Sequence, residues 1–176
     1  MCLGGIDDDT FATYSDTSFA DNPDRKSSQA YTMKLFGGTI AWRANKQTTV
    51  TTSTTEAELL ALLQAAREAY FVGRLLKELG IELEDPQIRL FYDNQQTIQI
   101  VKKQVALLVT RLRHVDIHNH WLRQEAQAGR LDVDYTPTDE MVADGLTKVL
   151  LGAQFDRFRN QVGVMDIRDR LKAVKG

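Results

Sequence analysis

Ala30-Tyr-Thr-Met-Lys-Leu-Phe-Gly37-Gly38-Thr-Ile-Ala-Trp-Arg-Ala44 is the stretch from which the architecture can be read. Ala30–Phe36 and Thr39–Ala44 are strand-like runs separated by Gly37-Gly38. Two glycines in that position predict a hairpin, because both can take positive φ without steric cost. Upstream, Phe11–Ser15 reads as a short strand. Asp21-Asn22-Pro23-Asp24 is turn chemistry, with Pro fixing φ and Asp and Asn bonding to nearby backbone. Downstream, Thr55 followed by Glu58 has the spacing of a capping box. Leu59, Leu62, Leu63, Ala66, Tyr70, Leu75, Leu76 and Leu79 then recur at helical spacing, which predicts one long helix over Glu56–Leu79 closed by Gly80.

Beyond it, Ile88–Tyr92 reads as a short apolar strand ending at Asp93, followed by a helix through Thr97, Ile100 and Val101. Residues 104–112 resist assignment. His114–Ala128 reads as a helix ended by Gly129, and Leu131–Tyr135 alternates as a strand. Thr138, Met141, Val142, Leu146 and Val149 read as a helix start and its apolar face, and Phe155–Val162 as a last amphipathic helix. The order β-β-β-α-β-α-α-β-α-α implies an α/β fold: leading antiparallel strands, then parallel strands alternating with helices, in one mixed sheet.

At 176 residues, with 43% hydrophobic and 26% charged residues, the chain suits a single globular domain. Its longest apolar runs, such as Leu59–Leu63, fall far short of a membrane span. No basic stretch precedes an apolar one at the N-terminus, so a secretory leader is not expected. Cys2 is the sole cysteine, which excludes an internal disulfide and a thiolate metal site and suits an intracellular, reducing location. A pI near 5.9 argues against a strong freestanding nucleic-acid binder. The charge is uneven, however. Residues 1–24 carry Asp7, Asp8, Asp9, Asp16, Asp21 and Asp24 without Lys or Arg, whereas residues 95–130 carry Lys102, Lys103, Arg111, Arg113, Arg123 and Arg130 against Asp116 and Glu125. An acidic end beside a basic stretch suits a metal site with a phosphate-binding flank, and equally a solvated helix face.

Four acidic residues fall at meaningful places. Asp16 ends the first strand, Asp93 ends the fourth, Glu58 lies in the first turn of the long helix, and Asp144 lies in a late helix. Ligands of α/β sheets bind beyond the strand ends. Carboxylates gathered there repel one another, and a cation would stabilise them together. Oxygen-only ligands favour Mg2+ or Mn2+ over zinc, and two such ions suit in-line phosphoryl displacement.

Several motifs add to this reading. They are Tyr14-Ser-Asp-Thr-Ser-Phe-Ala-Asp-Asn-Pro-Asp-Arg-Lys-Ser27, Gly37-Gly-Thr-Ile-Ala-Trp-Arg-Ala-Asn-Lys-Gln47, Ser53-Thr-Thr-Glu-Ala-Glu-Leu-Leu-Ala-Leu62, Tyr92-Asp-Asn-Gln-Gln96, His114-Val-Asp-Ile-His-Asn-His-Trp-Leu-Arg-Gln-Glu125 and Tyr135-Thr-Pro-Thr-Asp-Glu-Met-Val-Ala-Asp-Gly-Leu-Thr-Lys148. In this order and spacing they resemble the ribonuclease H domain of copia-type LTR retrotransposon polyproteins, over roughly residues 11–165. The resemblance implies a ribonuclease H-like fold, with a five-stranded mixed sheet flanked by helices. It also implies hydrolysis of the RNA strand of RNA–DNA hybrids with two Mg2+ ions, Mn2+ substituting, beside an upstream reverse transcriptase domain. Carried over by motif, the catalytic and metal-binding residues are Asp16, Glu58, Asp93 and Asp144. Asp16 would touch both ions, Asp144 the ion carrying the attacking water, and Glu58 and Asp93 the ion on the leaving-group side. Glu58 is taken over Glu56 because the family's Glu directly precedes the small apolar run. Glu56 is then expected at the surface, favoured by the helix dipole.

Thr54, Asn94 and Gln95 are candidate partners of the RNA 2′-hydroxyls, and Arg111, Arg113 and His114 candidate phosphate contacts. His114, His118 and His120 lack a matched ligand for zinc. Trp42 and Trp121 read as core or edge aromatics. The loop Thr136–Ala143 contains no His, where cellular ribonucleases H carry one, and Val149 stands where the family has Pro. Residues 1–10 read as a lead-in, 11–150 as the domain and 151–176 as a helical extension. The competing reading is a catalytically weak or domesticated binding module with the same fold.

Overall fold

The computed structural model describes residues 10–83, 85–102 and 113–164. The chain order is β1 (Phe11–Ser18), β2 (Ser28–Leu35), β3 (Gly38–Lys46), α1 (Thr54–Glu78), β4 (Ile88–Tyr92), α2 (Gln95–Lys102), α3 (Arg113–Gln127), β5 (Leu131–Tyr135), α4 (Asp144–Thr147) and α5 (Ala153–Gln161). The five strands form one sheet in the order β3-β2-β1-β4-β5. β1 to β3 pair antiparallel, whereas β1–β4 and β4–β5 pair parallel. The expected mixed sheet is therefore present. The unassigned stretch 104–112, the lead-in up to residue 9 and the tail from residue 165 lie outside the described residues.

The hairpin forms, but one residue earlier than the glycine pair suggested. Leu35 pairs with Gly38, so the two-residue turn is Phe36-Gly37, with φ of 51° and 74°. Both φ values are positive, as a turn matched to strand twist requires, and Phe36 rather than Gly38 takes the first. Phe36 N–H donates to the carbonyl of Thr10 at 3.1 Å, which ties the turn to the start of β1.

α1 buries Ala57, Leu59, Ala61, Leu62, Leu63, Ala65, Ala66, Ala69 and Leu76, and packs on β1, β2, β4 and α3. Leu75 and Leu79, placed on that face by periodicity, are exposed in the final turns. Gly80 closes the helix at φ 71°, with Gly80 N–H on Lys77 O and Ile81 N–H on Leu76 O, a Schellman cap. Leu59, Leu62, Met33, Leu90, Val101, Val115, Leu122 and Val133 are among the fully buried residues of the core between sheet and helices. α3 is tied to α1 by Tyr70, whose hydroxyl donates to Glu125 at 2.7 Å while Arg130 grips the same carboxylate at 2.8 Å. Trp121 meets the Tyr70 ring edge-on, and Trp42 stands 59% exposed on edge strand β3.

The helix predicted over Thr138–Val149 is not continuous. Met141, Val142 and Ala143 are three consecutive buried residues, which one helix face cannot supply, and only Asp144–Thr147 is helical. Phe158 of α5 lies over Gly145 so closely that a β-carbon there would be 2.1 Å from its ring.

Candidate active site

Asp16 lies within β1, opposite Ala30, rather than at the strand's end. Parallel pairing with β4 covers only Ala12–Tyr14, so Asp16 stands just past it and Asp93 directly follows the last residue of β4. Both thus occupy the carboxyl edge of adjacent parallel strands. Glu58 reaches the same edge from the first turns of α1, where its carbonyl accepts a 3.4 Å bond from the buried Tyr92 hydroxyl. Asp144 arrives at the start of α4, which packs on β1 and β2.

The side chains feel one another. Burial, with Asp16 only 5% exposed, and the nearby charges of Asp93 and Asp144 push the Asp16 carboxyl up to about 6, against a hydrogen bond from Thr147. Burial also raises Glu58, with Asp93 adding to it and bonds from Thr97 and Asn94 opposing it. Each carboxylate has its own partner. Thr147 Oγ1 donates to Asp16, Thr97 Oγ1 and Asn94 Nδ2 (2.7 Å) to Glu58, Thr138 Oγ1 (3.1 Å) to Asp93, and Lys148 Nζ to Asp144. Held in this way, no three His, Cys, Asp or Glu side chains among the described residues are set to hold a metal ion as they stand. The donor chemistry fits a hard divalent cation nonetheless: four carboxylates, no sulfur or imidazole among them, and an ammonium as the sole basic partner among the described residues.

No family model matches the chain. It is 34% identical over 165 residues, 93% of its length, to the retrovirus-related Pol polyprotein from transposon TNT 1-94 of Nicotiana tabacum. It is likewise 34% identical over 152 residues to that of transposon RE1 of Arabidopsis thaliana, covering 86% of the chain. Among solved structures it resembles RNase H1 from Halobacterium salinarum, with TM-score 0.55 and 18% identity, over 77% of this chain and 92% of that one. LC11-RNase H1, isolated from compost and solved in complex with RNA/DNA hybrid, matches with TM-score 0.55 and 16% identity, over 78% of this chain and 93% of that one. The chain is a ribonuclease H-fold relative of copia-type Pol polyproteins. It spans about a tenth of the length of those polyproteins, 12% and 10% for the two named.

In this ribonuclease H-fold domain Asp93 and Asp144 both act on Asp16, and Asp93 acts on Glu58 as well, and the choice between the two glutamates gains a physical reason. The helix cap is Ser53, not Thr55: Ser53 Oγ accepts from Glu56 N–H at 3.2 Å, and Glu56 Oε2 accepts from Thr52 N–H at 2.7 Å and Thr52 Oγ1 at 2.9 Å. Glu56 is therefore a buried capping residue, only 3% exposed, not the surface side chain expected from the dipole. Glu58, which the sequence cast as the capping partner, is free to face the site.

Of the substrate candidates, Thr54 and Gln95 are exposed beside the site at the starts of α1 and α2. Asn94 is already engaged: its Nδ2 holds Glu58, and its Oδ1 caps α2 through Gln96 N–H (2.9 Å) and Thr97 N–H (3.1 Å). Arg111, and the side chains of Arg113 and His114, lie outside the described residues. Thr97, Thr138, Thr147 and Lys148 were not foreseen as site residues. A signal existed for three of them: Thr97 follows Asn94 by three residues, and Thr147 and Lys148 follow Asp144 by three and four, one helical turn in each case.

Proposed function

We propose that the domain is an endonuclease that hydrolyses the RNA strand of RNA–DNA hybrids, using two divalent ions held by Asp16, Glu58, Asp93 and Asp144. The observation that carries this reading is the convergence of four carboxylates, from β1, α1, β4 and α4, on the carboxyl edge of two parallel strands. Its likeness in fold to an RNase H1 solved with RNA/DNA hybrid, and its kinship with Pol polyproteins, support the choice of substrate. When bound, the ions, Mg2+ or Mn2+, would activate a water and stabilise the leaving oxygen.

The chain's own residues prepare for that chemistry. Thr97 and Asn94 hold Glu58, Thr147 holds Asp16 and Thr138 holds Asp93, and the carboxylates would turn from these hydroxyl and amide partners toward the ions on binding. Thr54 and Gln95, exposed beside the site, are the remaining candidates for the 2′-hydroxyls that separate RNA from DNA. The acidic pI leaves little general attraction for phosphates, so much of the affinity for hybrid is assigned to an upstream reverse transcriptase domain.

A strand-labelled hybrid incubated with Mg2+ or Mn2+ tests the proposal, with Asp93→Asn as control. The parent should cut the RNA strand alone and the variant should lose at least a hundredfold in rate. Equal cutting by both proteins, or cutting of plain DNA duplex with none of hybrid, overturns it.

A further inference from the structure

Lys148 has no part in the function proposed above, yet it sits on the carboxylate cluster. Its ammonium is hydrogen-bonded to Asp144, one turn back along the chain. It also acts electrostatically on Asp16 and Asp93, so a single positive charge faces three of the four acids. The lysine side chain is 48% exposed and that of Asp144 19%, so the ammonium reaches in from solvent over the mouth of the site on a flexible stem. Asp144 has no other side-chain partner among the described residues, in contrast to Glu58 with its two neutral donors.

An ammonium bonded to Asp144 and a divalent ion coordinated by it compete for the same oxygen and repel each other. We propose that Lys148 is a built-in counter-cation of the cluster: it neutralises the acids in the metal-free domain and must be displaced from Asp144 when a divalent ion binds. This rests on the metal-site reading of the four carboxylates. Lys148 would then stabilise the empty site and set a minimum ion concentration for filling it. The lysine thus raises the stability of the metal-free fold at the expense of metal affinity.

The test is a calorimetric Mn2+ titration of EDTA-stripped parent, Lys148→Met and Lys148→Arg proteins. Lys102→Met serves as control, because Lys102 pairs with Asp132 and Asp134 instead. Lys148→Met should bind Mn2+ about tenfold more tightly than the parent, melt lower in EDTA and recover with saturating metal. Lys148→Arg and Lys102→Met should bind like the parent. Affinity that is unchanged or weaker in Lys148→Met overturns the inference and leaves the metal site standing. No binding by any of the proteins overturns the metal site and the inference with it. Should Lys148→Met fail to fold, amine acetylation of the parent read by mass spectrometry decides. Labelling of Lys148 should rise when Mn2+ is added, and labelling indifferent to the metal overturns displacement.

Discussion

Glu56 and Glu58 stand two residues apart on α1 and serve different ends. Glu56 closes the helix start on Thr52, and Glu58 turns to the site on Asn94 and Thr97. Glu56→Ala should lower stability by about 1–2 kcal/mol in urea melts and leave Mn2+ affinity within twofold of the parent. Glu58→Gln should do the reverse, leaving the melt nearly unchanged and weakening Mn2+ binding by at least tenfold. Asp16 supplies a pH dependence with a definite sign. Its folded-state pKa is raised from an ordinary carboxyl value to about 6, so the native state holds the proton more tightly than the unfolded chain. Below pH 4 both states are protonated and the group contributes nothing. Between about pH 4 and pH 6 stability falls as pH rises, and above pH 6 the full cost persists, on the order of 3 kcal/mol. Metal-free protein followed by thermal melts in EDTA should lose stability across that window, and Asp16→Asn should flatten the slope. A metal-free parent equally stable at pH 4.5 and pH 7 contradicts this account. The four acids could be singled out from a motif series, and Asp93 also from the strand end before it, whereas Asp16 falls inside its strand. Their hydroxyl partners could not, because Thr147 meets Asp16 across 131 residues of sequence and only the folded sheet edge brings the two together.

At the level of elements, α4 and α5 depend on one missing side chain. Gly145 leaves room for the Phe158 ring, and Gly145→Ala would put a methyl group inside that ring's contact distance. α5 buries none of its residues, so the strain should be relieved by moving α5 rather than the core. Gly145→Ala is expected to cost about 1–3 kcal/mol. Amide exchange of α5 should rise more than that of α1, and equal protection in both proteins would show that the contact bears no load. The strands and α1 were readable from period and composition, since each has enough residues to declare a face. α4 was not, because four residues are too few for any period. The hairpin was readable, but its turn position was not: pairing of Leu35 with Gly38 is a choice of register, which neighbouring strands settle.

Across the molecule, β1 is the one strand among the described residues with both an antiparallel and a parallel neighbour. The hairpin side is built from residues close in sequence. The other side waits for β4, and the fourth carboxylate waits for residue 144, long after α1 and the core strands have been made. Sequence order alone implied this division, because a glycine-turned hairpin precedes strands separated by helices. It did not reveal that the four-residue helix α4 returns to the first strand. The Asp16–Thr147 bond joins segments 131 residues apart, and it forms only once β4 and β5 have brought the later segment to the sheet edge beside β1. A refolding chain is therefore expected to pair its strands before residue 144 reaches their edge, and a pulse of amide exchange early in refolding should protect the sheet while α4 still exchanges.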